Sequence, residues 1–309
     1  MGRKRQSPTQ LDGVLVLNKP SGPTSAACLT RIKHDLGQAK IGHAGTLDPL
    51  ACGVLLVLLG QATKIAPYLT GQTKTYRGTL RLGVVTDTFD IQGEVLEEHE
   101  VNVPPEAVEA AILAWRDLTE QEVPAYSAAK HHGKPLYALA RSGQDVPVKT
   151  KAVTISRVEV LNVRPPLASF RVECSAGTYV RSLVHSLGMR CGCGAVLTEL
   201  TRERSHPFGL DEAHTLDEVL GEPERFAERV IPLAQALSHW PRVALDDEQT
   251  GQVRNGVWLP YASAPDGQAT GTPGRLALLA APGGEPLALA ELQPRDGELK
   301  WAIVRGLWR

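Results

Sequence analysis

Gly42-His-Ala-Gly-Thr-Leu-Asp-Pro-Leu-Ala-Cys-Gly-Val-Leu-Leu56 is the stretch around which the 309-residue chain is organised. It carries one carboxylate, Asp48, between apolar neighbours and directly before a proline. Pro49 has a fixed φ and pushes Asp48 out of the helical region toward extended backbone. Gly42, Gly45 and Gly53 permit sharp turns or the close approach of another backbone. The apolar run at 54–59 then enters a core. The stretch predicts a stiff loop that presents one acid at the edge of a hydrophobic wall. An Asx-turn, which Asp before Pro commonly starts, accounts for the same residues on local grounds alone.

The rest of the chain bounds what such a loop can serve. A content of 42% hydrophobic and 22% charged residues is that of an ordinary globular protein, with enough length for one large domain or two smaller ones. No apolar stretch approaches the ~20 residues of a membrane span. Arg3, Lys4 and Arg5 precede no signal-peptide apolar core, so export is not expected and a cytoplasmic location is. Five cysteines, an odd number, suit a reducing compartment, and all five read as small packing residues. Cys191 and Cys193 flank a single glycine, which is not zinc-ligand spacing, so no metal site is expected. Net charge is −1, yet residues 94–122 hold nine acids against Arg116 alone, while 125–181 hold nine Lys/Arg against three acids. A surface polarised in this way can bind a polyanion without being basic overall, and it can equally be a solvated face.

Outward from the loop, residues 11–17 predict a strand, and Asn18-Lys-Pro-Ser-Gly-Pro-Thr-Ser25 a rigid turn. Thr24 or Ser25 would cap the helix suggested by Leu29, Ile32 and Leu36, and Lys19 is assigned mostly to structure. Residues 61–69 read as a short helix or turn, and 74–83 as a strand with Tyr76, Leu80 and Leu82 on one face. Thr86-Asp-Thr-Phe-Asp-Ile-Gln-Gly93 alone is an acidic turn, and 104–115 is an amphipathic helix burying Val108, Ile112 and Trp115. A loop and helix follow at 123–143, where Lys130, Lys134 and Arg141 offer phosphate contacts and Tyr126 and Tyr137 offer stacking or packing. Two alternating strands at 153–163 and 168–174 lead to Ser175-Ala-Gly-Thr-Tyr-Val-Arg-Ser-Leu183 and a helix with Val180, Val184 and Leu187 on its apolar face. After Trp240, short apolar runs at 276–281 and 287–292, punctuated by Gly256, Gly267, Gly271, Gly274, Gly283 and Gly284, predict a small all-β module.

Gly45-Thr-Leu-Asp-Pro-Leu-Ala-Cys-Gly-Val-Leu55 resembles the active-site motif of the bacterial tRNA pseudouridine-55 synthases and of their guide-RNA-dependent archaeal and eukaryotic relatives. Only Cys52 is unusual there, where that family has Thr or Ser. The resemblance extends, in family order, over most of residues 11–204. It maps the catalytic aspartate onto Asp48, the base-stacking tyrosine onto Tyr76 and the aspartate's arginine partner onto Arg181. Asp90 would help orient that arginine. Lys64 would lie near the nucleophile, Tyr179 and Leu200 would flank the base, and His43 would fill the space the base vacates. Residues 124–151 would be a mobile thumb closing on RNA through Lys130 and Lys134. Ala176 replaces a lysine often found in the family, and Thr201-Arg-Glu-Arg204 departs from its usual paired arginines, a departure expected to leave the chemistry untouched.

The resemblance implies an α+β protein: a catalytic domain at 1–240 around a mixed, mostly antiparallel sheet, and a small β-barrel of PUA-like, RNA-binding type at 241–309. It further implies conversion of one uridine of the tRNA T-loop to pseudouridine by a monomer with no protein partner, no metal and no cofactor. Isomerisation needs no redox step or group donor, only an ionised carboxylate beside sugar and base and an unstacked target. Two other classes remain open at this point. A glycosidase-like hydrolase would need a second carboxylate across the bond, for which Asp90 is the candidate. An RNA chaperone would use the basic segment and the C-terminal module alone.

Overall fold

The computed structural model describes residues 10–261 and 271–308. Arg3, Lys4, Arg5 and Gly267 lie outside the described residues. A ten-stranded sheet forms the frame. Its order is Ile155–Arg164, Leu167–Cys174, Lys74–Leu82, Ala195–Ser205, Cys52–Leu59, Gly13–Lys19 and His214–Thr215, with three short strands paired off this path. Its ladders are antiparallel except where Gly13–Lys19 meets His214–Thr215 and where Ala195–Ser205 meets Cys52–Leu59. The fold is α+β with a mostly antiparallel sheet.

Cys52–Leu59 is apolar without alternation because both of its faces are covered. Leu55, Val57 and Leu59 point into one core with the helices Ser25–Asp35, Pro105–Leu113 and Val180–Arg190. Val54, Leu56 and Leu58 point into a second core on the opposite face. Gly13–Lys19 divides in the same way, Leu15 and Leu17 to one core and Val14 and Val16 to the other. Thr24 caps the first helix by accepting from the Ala27 amide at 3.1 Å. The helix at Pro105–Leu113 runs into a 3₁₀ turn that buries Trp115 edge-on against Phe170, with ring centroids 4.8 Å apart.

The two wings of the sheet touch at a narrow seam, where Thr201 pairs with Cys52 and Arg202 with Gly53. Gly53 has φ +99°, and a Cβ there would sit 2.3 Å from the Arg202 carbonyl oxygen. This is the close backbone approach expected of that glycine. The acid loop lies at the seam.

The thumb-like segment is bracketed by a two-stranded ladder, Glu120–Glu122 against Thr150–Ala152. Inside it, a hairpin pairs Lys130–His131 with Lys134–Pro135 through His132 and Gly133, both at positive φ. The helix Leu136–Arg141 follows, and Val123, Leu136 and Leu139 form a small core of their own.

Beyond Trp240 one expectation is corrected. The module is not all-β: the helix Asp247–Arg254 belongs to it, opened by a reciprocal Asp246–Gln249 capping box. Among the described residues its strands make a half-barrel sheet, the open part of the expected barrel. They form one five-stranded sheet, edged by Arg242–Ala244 and Leu259–Pro260. Leu278, Leu289 and Leu307 of this module enter the second core beneath Val54, Leu56 and Leu58, so the module is packed against the sheet. Among the described residues, no helix is long and apolar enough to cross a membrane.

The seam generates a stability prediction. Gly53→Ala puts a side chain at left-handed φ and against a backbone oxygen, and should cost roughly 2–4 kcal/mol in denaturant unfolding. A loss below about 1 kcal/mol would contradict the close packing of Gly53 on Arg202.

Candidate active site

The acid loop is held by backbone and side chain from two directions. Ser25 Oγ accepts from the Leu47 amide and donates to the Leu47 carbonyl, both at 2.9 Å. Ser21 Oγ donates to the Leu50 carbonyl at 2.9 Å, and the Gly22 amide to the Pro49 carbonyl at 2.8 Å. The Asn18–Ser25 turn is thus the clamp of the loop as well as the start of a helix. The Ala51 amide donates to the Asp48 carbonyl at 3.1 Å, so Asp48 opens a turn, as its local sequence suggests.

From the other side, Arg202 is buried and spends its guanidinium on the loop's ends. Nε donates to the Val54 carbonyl at 2.6 Å, Nη2 to Gly45 at 2.9 Å and Nη1 to Thr46 at 3.4 Å. Sequence reasoning passed over this residue and expected its segment to leave the chemistry untouched. Instead Arg202 forms part of the site's wall.

Asp48 opens onto a cavity of about 240 Å³ that also takes in Tyr76, Tyr179, Arg181 and Leu200. Five of the predicted residues therefore meet in one place. Arg181 is the second residue of the helix Val180–Arg190, and its side chain is only 5% exposed. Nε donates to Asp48 Oδ2 at 2.9 Å, Nη1 to the Thr88 carbonyl at 2.7 Å and Nη2 to the Tyr126 carbonyl at 3.0 Å. Asp90 Oδ2 stands 3.8 Å from the same Nε, fixed through Oδ1 by Thr88 Oγ1 at 2.8 Å and the Gln92 amide at 3.0 Å. Arg181 thus spreads its donors over three partners and gives Asp48 one hydrogen bond. The Asp48 side chain is 42% exposed, so its free face is open to a substrate.

The remaining predicted residues divide. Lys19 is buried and donates to the Pro20 and Pro23 carbonyls at 2.7 and 2.8 Å, in line with a structural assignment. Burial lowers its pKa first, and Arg202 adds to this. His43 is half-buried on the strand Ile41–Ala44 and does not line the cavity; burial, then the Arg202 charge, lowers its pKa. Lys130 and Lys134 stand exposed on the thumb hairpin, away from the cavity wall, to which the thumb contributes Ser127 and Ala128. Lys64 does not line the cavity; its Nζ donates to the Trp308 carbonyl at 3.0 Å, across the contact with the C-terminal module.

The lysine that does line the cavity is Lys74, which sequence reasoning missed. A usable signal existed, since Lys74 precedes Tyr76 by two on one strand and so shares its face. Gln121 was also missed. Its Oε1 accepts from the Tyr179 amide at 2.5 Å and its Nε2 donates to the Tyr179 carbonyl at 3.1 Å, fixing the turn that leads to Arg181. Burial raises the pKa of the Tyr76 phenol, keeping it neutral against the base site. Among the described residues, no cluster of His, Cys, Asp and Glu could hold a metal ion.

Comparison with known proteins agrees with this geometry. Residues 33–180 match the family described as TruB family pseudouridylate synthase (N terminal domain). The chain is 55% identical to a tRNA pseudouridine synthase B of Nitratidesulfovibrio vulgaris (strain Miyazaki F), over 97% of this chain and 98% of that one. It is 58% identical to a tRNA pseudouridine synthase B of Oleidesulfovibrio alaskensis, over 97% of both. Among solved structures, a chain from an H/ACA RNP bound to a substrate RNA containing 2′-deoxyuridine matches with TM-score 0.71 and 25% identity, covering 96% of this chain and 85% of that one. A Cbf5-Nop10-Gar1 complex matches with TM-score 0.70 and 26% identity, covering 96% and 85%. Full-length identity at this level, on a chain whose acid, arginine and tyrosine meet in one cavity, makes the protein a member of the tRNA pseudouridine synthase B (TruB) family.

Proposed function

We propose that this protein isomerises one uridine of tRNA, at position 55 in the T-loop, to pseudouridine, with Asp48 as the catalytic carboxylate. The observation that carries the proposal is the 2.9 Å bond from Arg181 Nε to Asp48 Oδ2 inside a cavity shared with Tyr76. The names of the relatives support tRNA as the substrate. The target base leaves its stack, at a cost of a few kcal/mol, and enters the cavity. Tyr76 stacks on it, Tyr179 and Leu200 flank it, and His43 fills the space it leaves.

Asp48 then meets the charge that develops on the sugar when the bond to the base breaks. Arg181 orients the carboxylate, and Asp90 and the Thr88 carbonyl orient Arg181. Product and substrate are isomers, so the reaction draws on no cofactor. The cavity wall has Asp48 as its one acid among the described residues, which disfavours a two-carboxylate hydrolase.

The proposal extends to the rest of the chain. Residues 1–240 act as the catalytic domain, with 124–151 as a thumb that closes on the T-arm through Lys130 and Lys134. Residues 241–309 act as a PUA-like RNA-binding module. The enzyme works as a cytoplasmic monomer.

Two variants test the centre. Asp48→Asn should abolish pseudouridine formation while tRNA affinity stays within severalfold. Arg181→Lys should lower the saturated single-turnover rate at least tenfold, because an ammonium's donors radiate from one atom and do not reproduce the fork whose three nitrogens reach Asp48, Thr88 and Tyr126. Turnover by a verified Asp48→Asn protein, or a wild-type saturated rate for Arg181→Lys, overturns the assignment. Replacing Lys130 and Lys134 together with Ala should weaken tRNA binding and flatten its log–log salt dependence by about 1 per lost phosphate contact. An unchanged slope would make the thumb hairpin a solvated face.

A further inference from the structure

Besides Arg181, three buried cations surround the acid loop, and the roles assigned so far leave one without a task. Lys19 and Arg202 are bound to backbone carbonyls and shape the loop. Lys74 differs because it lines the cavity itself while being only 5% exposed. Its Nζ donates to the Thr70 carbonyl at 2.5 Å and to the Gln72 carbonyl at 2.7 Å. An ammonium has three protons, so one is left for a ligand. Among the described residues, no carboxylate forms an ion pair with it.

The groups facing Lys74 from neighbouring strands are the Arg202 guanidinium and the Cys174 thiol, with Tyr76 on its own strand. Burial pushes the thiol up to about 11, so it brings no negative charge. A Cβ built on Gly45 would lie 3.5 Å from Arg202 Nη1 and 4.0 Å from Lys74 Cε, so both cations converge beside the acid loop. Burial first, and then the Arg202 charge, pushes the Lys74 ammonium down to about 8. A cation kept in so unfavourable a place, with no anion of its own, suits a ligand that brings one.

We propose that Lys74 is a catalytic residue whose remaining ammonium proton binds a carbonyl oxygen of the target uracil and stabilises the charge the base carries while detached. The inference rests on the reading of the cavity as a uridine-isomerising site. When the bond between C1′ and N1 breaks, its electron pair leaves with the base, which becomes an anion with charge on its oxygens. Asp48 meets the complementary positive charge on the sugar. After the base turns, C5 supplies the pair that bonds to C1′, the proton on C5 is lost and N1 takes one up, so composition is unchanged. The depth of Lys74 favours the base as its partner, because the phosphates of the nucleotide stay with the strand at the mouth.

The test is a pH series on wild type, Lys74→Met and Lys74→Arg with unmodified tRNA. A lysine titrating at about 8 is charged below that pH and neutral above it, so wild-type kcat/KM should fall about tenfold per unit as pH rises beyond about 8. Lys74→Arg keeps its charge and should lose that fall. Lys74→Met should cut the saturated single-turnover rate at pH 7 by about 10²-fold, with affinity within about threefold and an unchanged salt slope. A normal saturated rate for Lys74→Met, with weakened binding and a salt slope lower by about 1, would mean that Lys74 holds a phosphate, and overturns the proposal. If Lys74→Met shows no cooperative melting, the profile of Lys74→Arg decides, and an alkaline fall equal to wild type overturns the proposal. Wild type that makes no pseudouridine removes both readings; active wild type with an unimpaired Lys74→Met removes only this one.

Discussion

The site depends on how one buried guanidinium divides its donors. Arg181 ties the acid loop at Asp48 to the Thr86–Gly93 turn at Thr88 and to the base of the thumb at Tyr126. Three segments far apart in sequence are thereby set by one planar group. A planar fork has fixed donor directions, so the position of Asp48 is coupled to that of the thumb's first residues. Asp90, 3.8 Å from the same Nε, balances the charge of the arginine from a nearly buried position while Asp48 keeps an open face.

Around this centre, positive charge is buried against carbonyl dipoles in place of carboxylates. Lys19, Lys74 and Arg202 together bind seven backbone oxygens. Removing a buried charge from water is costly, and hydrogen bonds to carbonyls offset only part of that cost. What remains is a site electropositive before substrate arrives. Nucleic acid brings phosphates to its rim, and a detaching uracil would bring an anion to its floor. The lowered pKa values of Lys74 and His43 have the same first cause, burial, and the same reinforcing neighbour, Arg202.

Much of this was legible in the sequence, for identifiable reasons. The apolar run beginning at Val54 announced a central strand because burial on both faces removes alternation. Gly53 announced a close approach, and Arg202 is what approaches. Asp48, Tyr76, Tyr179, Arg181 and Leu200 share a motif-rich background and a common cavity. The contact Lys64 makes was not legible because its partner Trp308, just past the last strand, lies 244 residues away in sequence. Arg202 was invisible for a related reason. A charged residue in an alternating strand reads as solvent-facing, and only the seam between the two wings buries it. After Trp240, glycines and short apolar runs concealed the helix at Asp247–Arg254, whose capping box at Asp246 and Gln249 was nonetheless present in the sequence.

The measurement that bears most directly on the account is the single-nucleotide mapping of pseudouridine in an unmodified tRNA transcript treated with the purified protein, with no nucleotide or redox cofactor added. The account predicts one pseudouridine per tRNA, at the T-loop uridine, and no free uracil. Release of uracil, or a transcript unchanged after prolonged incubation with folded protein, would contradict it.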